Sequence, residues 1–78
     1  MTVAVVIAAH NAEPFLERAL ASLVEQSKPP DEVVVVDDGS TDRTAAIARD
    51  HGATVVAQEQ QGPAAARNRG VEAAKAEY

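Results

Sequence analysis

Seventy-eight residues suffice for one small domain and no more. Twelve acidic residues against seven basic give a formal net charge of -5, with no basic stripe or aromatic platform to offset it, which argues against a nucleic-acid partner. The chain has no cysteine and a 46% hydrophobic share drawn mostly from Ala and Val, with one Phe, one Tyr and no Trp. A disulfide framework and a thiolate metal site are thereby excluded, global disorder is disfavoured, and the core must be built of small side chains packed closely.

Val3 to Ala8 is a continuous, β-branched apolar run, the mark of a strand buried on both faces. No positive charge precedes it, and it is far shorter than the ~20 residues a membrane span needs, so neither a signal peptide nor a membrane anchor is read here. Asn11 is placed to cap a following helix, with Pro14 in its first turn. Phe15, Leu16, Ala19, Leu20, Leu23 and Val24 recur on one helical face, and Lys28-Pro29-Pro30 ends that helix. Val33 to Val36 forms a second buried strand, closed by Asp37-Asp38-Gly39-Ser40. Ser40 or Thr41 then caps a second helix that carries Ala45, Ile47 and Ala48 and stops at Gly52. Ala53 to Ala57 reads as a third, weaker strand and Gln58 to Gly62 as a polar loop. Pro63, at a favoured first position, opens a third helix expected to run to about Glu77.

Strands separated by helices of this length imply parallel pairing with right-handed crossovers. The expected fold is α/β: a three-layer, Rossmann-like half with β-α-β-α-β-α order and strands arranged 3-2-1, residues 1–78 forming one unit.

In such a sheet, ligands bind beyond the carboxyl ends of the strands. Two adjacent ends carry Ala8-Ala9-His10-Asn11 and Asp37-Asp38-Gly39-Ser40. Together they make one polar crevice suited to the base and ribose of a nucleotide, with Gly39 allowing the backbone to reverse. Neighbouring carboxylates project differently, so Asp37 and Asp38 are not expected to share a role. An ionised Asp accepts from ring N–H groups or ribose hydroxyls. Either Asp reads equally well as a turn or helix cap, and a histidine placed like His10 is more often an ordinary loop residue. In the third helix, Ala64-Ala65-Ala66-Arg67-Asn68-Arg69-Gly70 offers small residues and a mid-helix Gly for close approach to the sheet, at about 1 kcal/mol for Gly relative to Ala. Arg67 is placed to reach a phosphate or an acidic loop.

The stretches VAVVIAAHNAEPFLERALASLVEQS, DEVVVVDDGSTDRTAAIARDHG and QGPAAARNRGVEAAKAEY resemble family 2 glycosyltransferases of the GT-A fold, over essentially the whole chain. The pairing of VVVVDDGSTD with GPAAARNRG at this separation is more specific than either alone. The resemblance implies an enzyme that transfers sugar from a nucleotide donor, most often a UDP-sugar, to an acceptor with inversion. It places Ala8, His10, Glu13 and Asp38 at the base and ribose, with Ala9 beside them, Asp37 in support and Arg67 as the basic residue of the third helix. Ala8 stands where the family usually has Pro, His10 where it has Tyr, and Ala12 where it has a carboxylate. The family's Asp-x-Asp motif, which holds a divalent Mg or Mn against the diphosphate, and its catalytic base are expected beyond Tyr78. The chain itself is therefore expected to contain the nucleotide-binding portion, with no catalytic residue or metal ligand, and to be inactive alone. Cytoplasmic placement follows from where nucleotide sugars are made.

A different class of function is a non-catalytic nucleotide-binding or strand-pairing module, in which the open edge of the first strand invites self-association. Other α/β readings fail on spacing. No glycine lies between Met1 and Val36 to supply a dinucleotide fingerprint. The residue two after Asp37 is Gly39, which leaves a phosphatase Asp-x-Asp without its acid. A receiver domain would carry its acidic pair after the first strand.

Overall fold

The organising element is a central strand whose middle no solvent touches. In the computed structural model, which describes residues 3–74, Val34, Val35 and Val36 of β2 (Glu32–Asp38) have no exposed surface. Three consecutive β-branched residues buried on both faces suit a central parallel strand, and each contributes about 1.5–3 kcal/mol by its burial. β1 (Ala4–Ala9) pairs with one edge of β2 and β3 (Thr54–Gln58) with the other, both parallel, giving the order β1-β2-β3. This is the expected 3-2-1 arrangement.

Helices α1 (Glu13–Glu25), α2 (Thr44–Asp50) and α3 (Pro63–Ala73) alternate with the strands. Because side chains along a strand point to opposite faces, β2 feeds two cores. Val35 packs with Leu16, Leu20, Ile47 and Ala48 of α1 and α2. Val34 and Val36 pack with Ala66 of α3, and Val6, Ala8 and Val56 border that cluster. Gly70 permits the second packing: a Cβ there would lie 2.2 Å from Val6 Cγ1 and 3.0 Å from Val36 Cγ2. The close approach expected from a mid-helix glycine is thus present.

Several local expectations are corrected. The buried stripe of α1 is narrower than the apolar pattern suggests: Leu16 and Leu20 are buried, whereas Phe15 is 74% and Val24 66% exposed. Residues four apart stay on one side of a helix, so Leu16 and Leu20 face the core while Phe15 and Ala19 are rotated towards solvent. Asn11 does not cap α1, and neither Ser40 nor Thr41 caps α2, which begins later, at Thr44. These side chains bond across the two turns instead, as described below. At the far end α3 stops at Ala73, with Ala74 already extended. The expected continuation to Glu77 lies outside the described residues.

Candidate functional site

The carboxyl ends of β1 and β2 are locked together by side chains from the turns that follow them. Asn11, at φ 49°, donates its backbone N–H to Ser40 Oγ at 2.8 Å and accepts the Thr41 N–H on Oδ1 at 2.8 Å. A left-handed backbone is a conformation that asparagine tolerates better than most residues. Ala12 N–H donates to the hydroxyl of fully buried Thr44 at 2.9 Å, and that hydroxyl donates onward to Asp42 Oδ1. Glu13 N–H donates to Asp42 Oδ2 at 3.1 Å, and Arg43 N–H donates to Glu13 Oε1 at 3.1 Å. Asp42 thus accepts the first amide of both helices, Glu13 N–H on Oδ2 and Thr44 N–H on Oδ1 at 2.9 Å, while Glu13 returns the bond to the residue that precedes α2.

Period-two alternation separates the two aspartates. Asp37 follows Val35 towards α1 and α2 and accepts the Ser40 N–H on Oδ1 at 2.9 Å, closing the turn. Asp38 follows Val34 and Val36 towards α3, where it is 4% exposed. Its Oδ1 accepts Gln58 Nε2–H and Gln61 N–H, both at 2.8 Å, and its Oδ2 accepts Gly62 N–H at 3.0 Å. The Gln58 amide, followed by the Gln61 and Gly62 N–H groups and the nearby His10, holds this carboxyl below its ordinary titration range against an opposing desolvation. Asp38 is thus an ionised anchor around which residues 58–62 wrap.

His10 makes the complementary contact. Its Nδ1 lies 2.8 Å from the Asp38 carbonyl oxygen. A carbonyl can only accept, so Nδ1 carries a proton, and Nε2 lies 3.4 Å from Asn11 Nδ2.

These contacts frame a cavity of about 200 Å³, walled by Ala8, Ala9 and His10 from the β1 end, Asp38 from β2, Gln60 from the loop, and Pro63 and Ala66 from α3. That is smaller than the ~300–1,000 Å³ of sites holding whole drug-sized ligands, and it suits a single ring over a small apolar floor with a polar rim. Larger hollows exist, one of about 480 Å³ between the flanks of α1 and α2 and one of about 330 Å³ beneath Pro29 and Pro30. Both lie away from the strand ends where open parallel sheets take ligands, so their size does not make them the better candidates.

Four of the residues singled out from sequence, Ala8, Ala9, His10 and Asp38, therefore meet at one cavity. Asp37 stands behind it in the turn. Glu13 braces α1 to α2 and borders the hollow between them instead. Arg67 is exposed one residue beyond Ala66 and does not line the cavity. Gln58, Gln60 and the amides of Gln61 and Gly62 were not singled out. The only signal for them was a polar stretch directly before Gly62-Pro63.

Among the described residues, no group of three His, Cys, Asp or Glu side chains could hold a metal ion. Asp37 and Asp38 are already engaged by protein donors. The described residues thus do not fit a resident divalent cation.

Comparison with known proteins agrees with the fold and the motifs. Residues 4–78 match the profile of Glycosyl transferase family 2. The uncharacterized glycosyltransferase EpsJ of Bacillus subtilis (strain 168) is 35% identical over 81 residues, a match that takes in 97% of this chain and 24% of EpsJ. The succinoglycan biosynthesis protein ExoU of Rhizobium meliloti (strain 1021) is 44% identical over 75 residues, spanning 88% of this chain and 22% of ExoU. Among solved structures, glucosyl-3-phosphoglycerate synthase of Mycobacterium tuberculosis superposes with a TM-score of 0.81 at 31% identity, over 95% of this chain and 31% of that one. A complex of that enzyme with Mn2+, UDP and glucosyl-3-phosphoglycerate aligns over 76% of this chain and 22% of the other, at 40% identity and a TM-score of 0.64. The chain thus spans about a quarter of the length of EpsJ and ExoU. With a parallel GT-A sheet, the DDGS turn and a profile match from Ala4 onward, the chain belongs to glycosyl transferase family 2.

Proposed function

We propose that this chain forms the nucleotide-binding portion of an inverting glycosyltransferase that uses a nucleotide-sugar donor such as a UDP-sugar. The observation that carries the reading is the ring-sized cavity at the carboxyl ends of β1 and β2, with the ionised Asp38 on its rim. Ala8, on the α3 face of the sheet, offers an apolar surface to a base together with Pro63 and Ala66, while Ala9 turns its side chain into the opposite core and closes the wall behind. His10 and Asp38 supply the polar edge, where N–H and ribose O–H groups find acceptors. The UDP complex of the structural neighbour supports this choice of ligand, and the name of ExoU supports an acceptor in polysaccharide or glycoconjugate synthesis. A divalent cation of the Mg or Mn kind would neutralise the departing diphosphate in the complete enzyme. Its ligands are expected elsewhere in that enzyme, and the role proposed for this chain is to hold the nucleoside. Arg67 remains the residue proposed to reach a phosphate, and Glu13, which lies outside the cavity, is proposed to contact only the part of the nucleoside that projects from it.

Titration of the isotopically labelled chain with UDP tests the proposal. Amide shifts are expected at residues 8–10, 58–62 and 64–66. Shifts confined to the hollow between α1 and α2, or none at millimolar UDP, would refute it. A second reading rests on β1, which pairs with β2 alone among the described residues. An unpaired edge can recruit another copy of the chain, and a monomer by light scattering at high concentration would dismiss that reading.

A further inference from the structure

Gln58 closes β3 directly opposite Asp38 in the parallel register. Strands favour β-branched and aromatic residues, so a glutamine is not what the strand itself asks for at this position. Its side chain is committed to one contact, Nε2–H donated to Asp38 Oδ1 at 2.8 Å. The same oxygen accepts Gln61 N–H at 2.8 Å, and Oδ2 accepts Gly62 N–H at 3.0 Å. A carboxylate has about four lone-pair sites. Three are filled from within the chain, two of them on Oδ1, which leaves one on Oδ2.

Asp38 lines the cavity, and that remaining site is its means of accepting from a ligand. The two loop amides are main-chain groups, so Gln58 is the one side chain that fixes which oxygen is free. Without it, Oδ1 would regain a lone pair, and rotation of the carboxylate would no longer be opposed on that side. We infer that Gln58 is a positioning residue for nucleoside recognition: by occupying Asp38 Oδ1, it leaves Oδ2 as the single acceptor offered to a ligand N–H or O–H. This inference rests on the nucleotide-binding reading and adds to it the residue that orients its central acceptor.

The test compares the wild-type chain with Gln58→Ala and Gln58→Glu by two readouts. The first is the titration of the Asp38 carboxyl carbon by NMR without ligand. The second is the affinity for uridine, which is uncharged over the range used, between about pH 5 and pH 8. With Gln58→Ala, Asp38 is expected to titrate at a higher pH than in the wild type, and uridine to bind about tenfold more weakly. With Gln58→Glu, two facing carboxylates repel near neutrality, but once the introduced carboxyl is protonated it donates to Asp38 as the glutamine does. Uridine affinity in that variant is taken as a ratio to the wild type at the same pH, so that any pH dependence of the shared cavity wall, His10 included, cancels. That ratio is therefore expected to fall at pH 8 and to recover towards pH 5. A purely structural glutamine would give a loss independent of pH. If Asp38 titrates alike in all three proteins, or if the ratio of Gln58→Glu to wild-type affinity is the same at both ends of the range, the inference is overturned while nucleotide binding stands. If the wild type does not bind uridine at all, the nucleotide-binding reading fails and the inference falls with it.

Discussion

Replacing Gly70 by alanine sets two known effects against each other, and the geometry decides the sign. In a free helix, alanine is favoured over glycine by about 1 kcal/mol. Here the added Cβ would sit 2.2 Å from Val6 Cγ1 and 3.0 Å from Val36 Cγ2, against an ordinary carbon–carbon separation of ~3.5–4.0 Å. Both neighbours are valines, stiff about χ1, and Val36 is wholly buried. Neither can swing aside, so α3 must lift from the sheet. Overpacking costs about 1–3 kcal/mol and occasionally more; with the gap to Val6 more than 1 Å short, a value at the upper end is expected, for a net loss of about 1–2 kcal/mol. At a urea dependence of ~1 kcal/mol/M for a small domain, the midpoint of urea unfolding followed by circular dichroism should fall by about 1–2 M. Val6→Ala removes the closest methyl, so the double variant should lose less than the sum of the single losses. A Gly70→Ala protein more stable than wild type would show that helix propensity governs this position and that α3 does not lie as close to β1 as described.

Gly39 adopts φ 74°, and a Cβ there would lie 2.9 Å from the Gln60 amide nitrogen. Gly39→Ala should therefore cost at least the ~1–2 kcal/mol of the left-handed conformation and displace residues 58–62, weakening UDP binding as read by calorimetry. Thr44→Val preserves shape but leaves the Ala12 N–H without its buried acceptor; a loss of about 1–3 kcal/mol in urea unfolding is expected, and an unchanged midpoint would contradict the brace between α1 and α2. Asp42, held low chiefly by the Thr44 hydroxyl, and Asp38, held low chiefly by Gln58, both titrate below the ordinary value of 3.8. The unfolded chain then binds more protons than the folded one, so their contribution to stability is complete above about pH 5 and disappears as pH falls through the lower folded values. Urea midpoints measured across pH 2 to 5 should fall steeply in the wild type and less steeply in Asp42→Asn; parallel curves would refute this.

Much of the fold is legible because its signals are local. Val33 to Val36 can be nothing but a doubly buried strand in a chain this small, and the separation of Asp37 from Asp38 follows from period two alone. The helix caps failed for the opposite reason. Asn11, Ser40 and Thr41 are good local caps, but each takes a partner about thirty residues away, which no rule confined to one turn can anticipate. Gln58 and Gln60 were hidden for a related cause: only the parallel register, which sets Asp38 beside Gln58, turns a polar loop into the wall of a cavity. Phe15 shows the limit of helical periodicity, since an apolar residue beside the stripe is buried only when a neighbouring element reaches it.

The most direct test of the central claim is a crystal structure of the chain with UDP. The uracil ring should lie in the cavity walled by Ala8, His10, Pro63 and Ala66, with a ligand N–H or ribose hydroxyl on Asp38 Oδ2 and the Gln58–Asp38 bond intact. A nucleotide lodged between α1 and α2, or a base bound with Asp38 untouched, would contradict it.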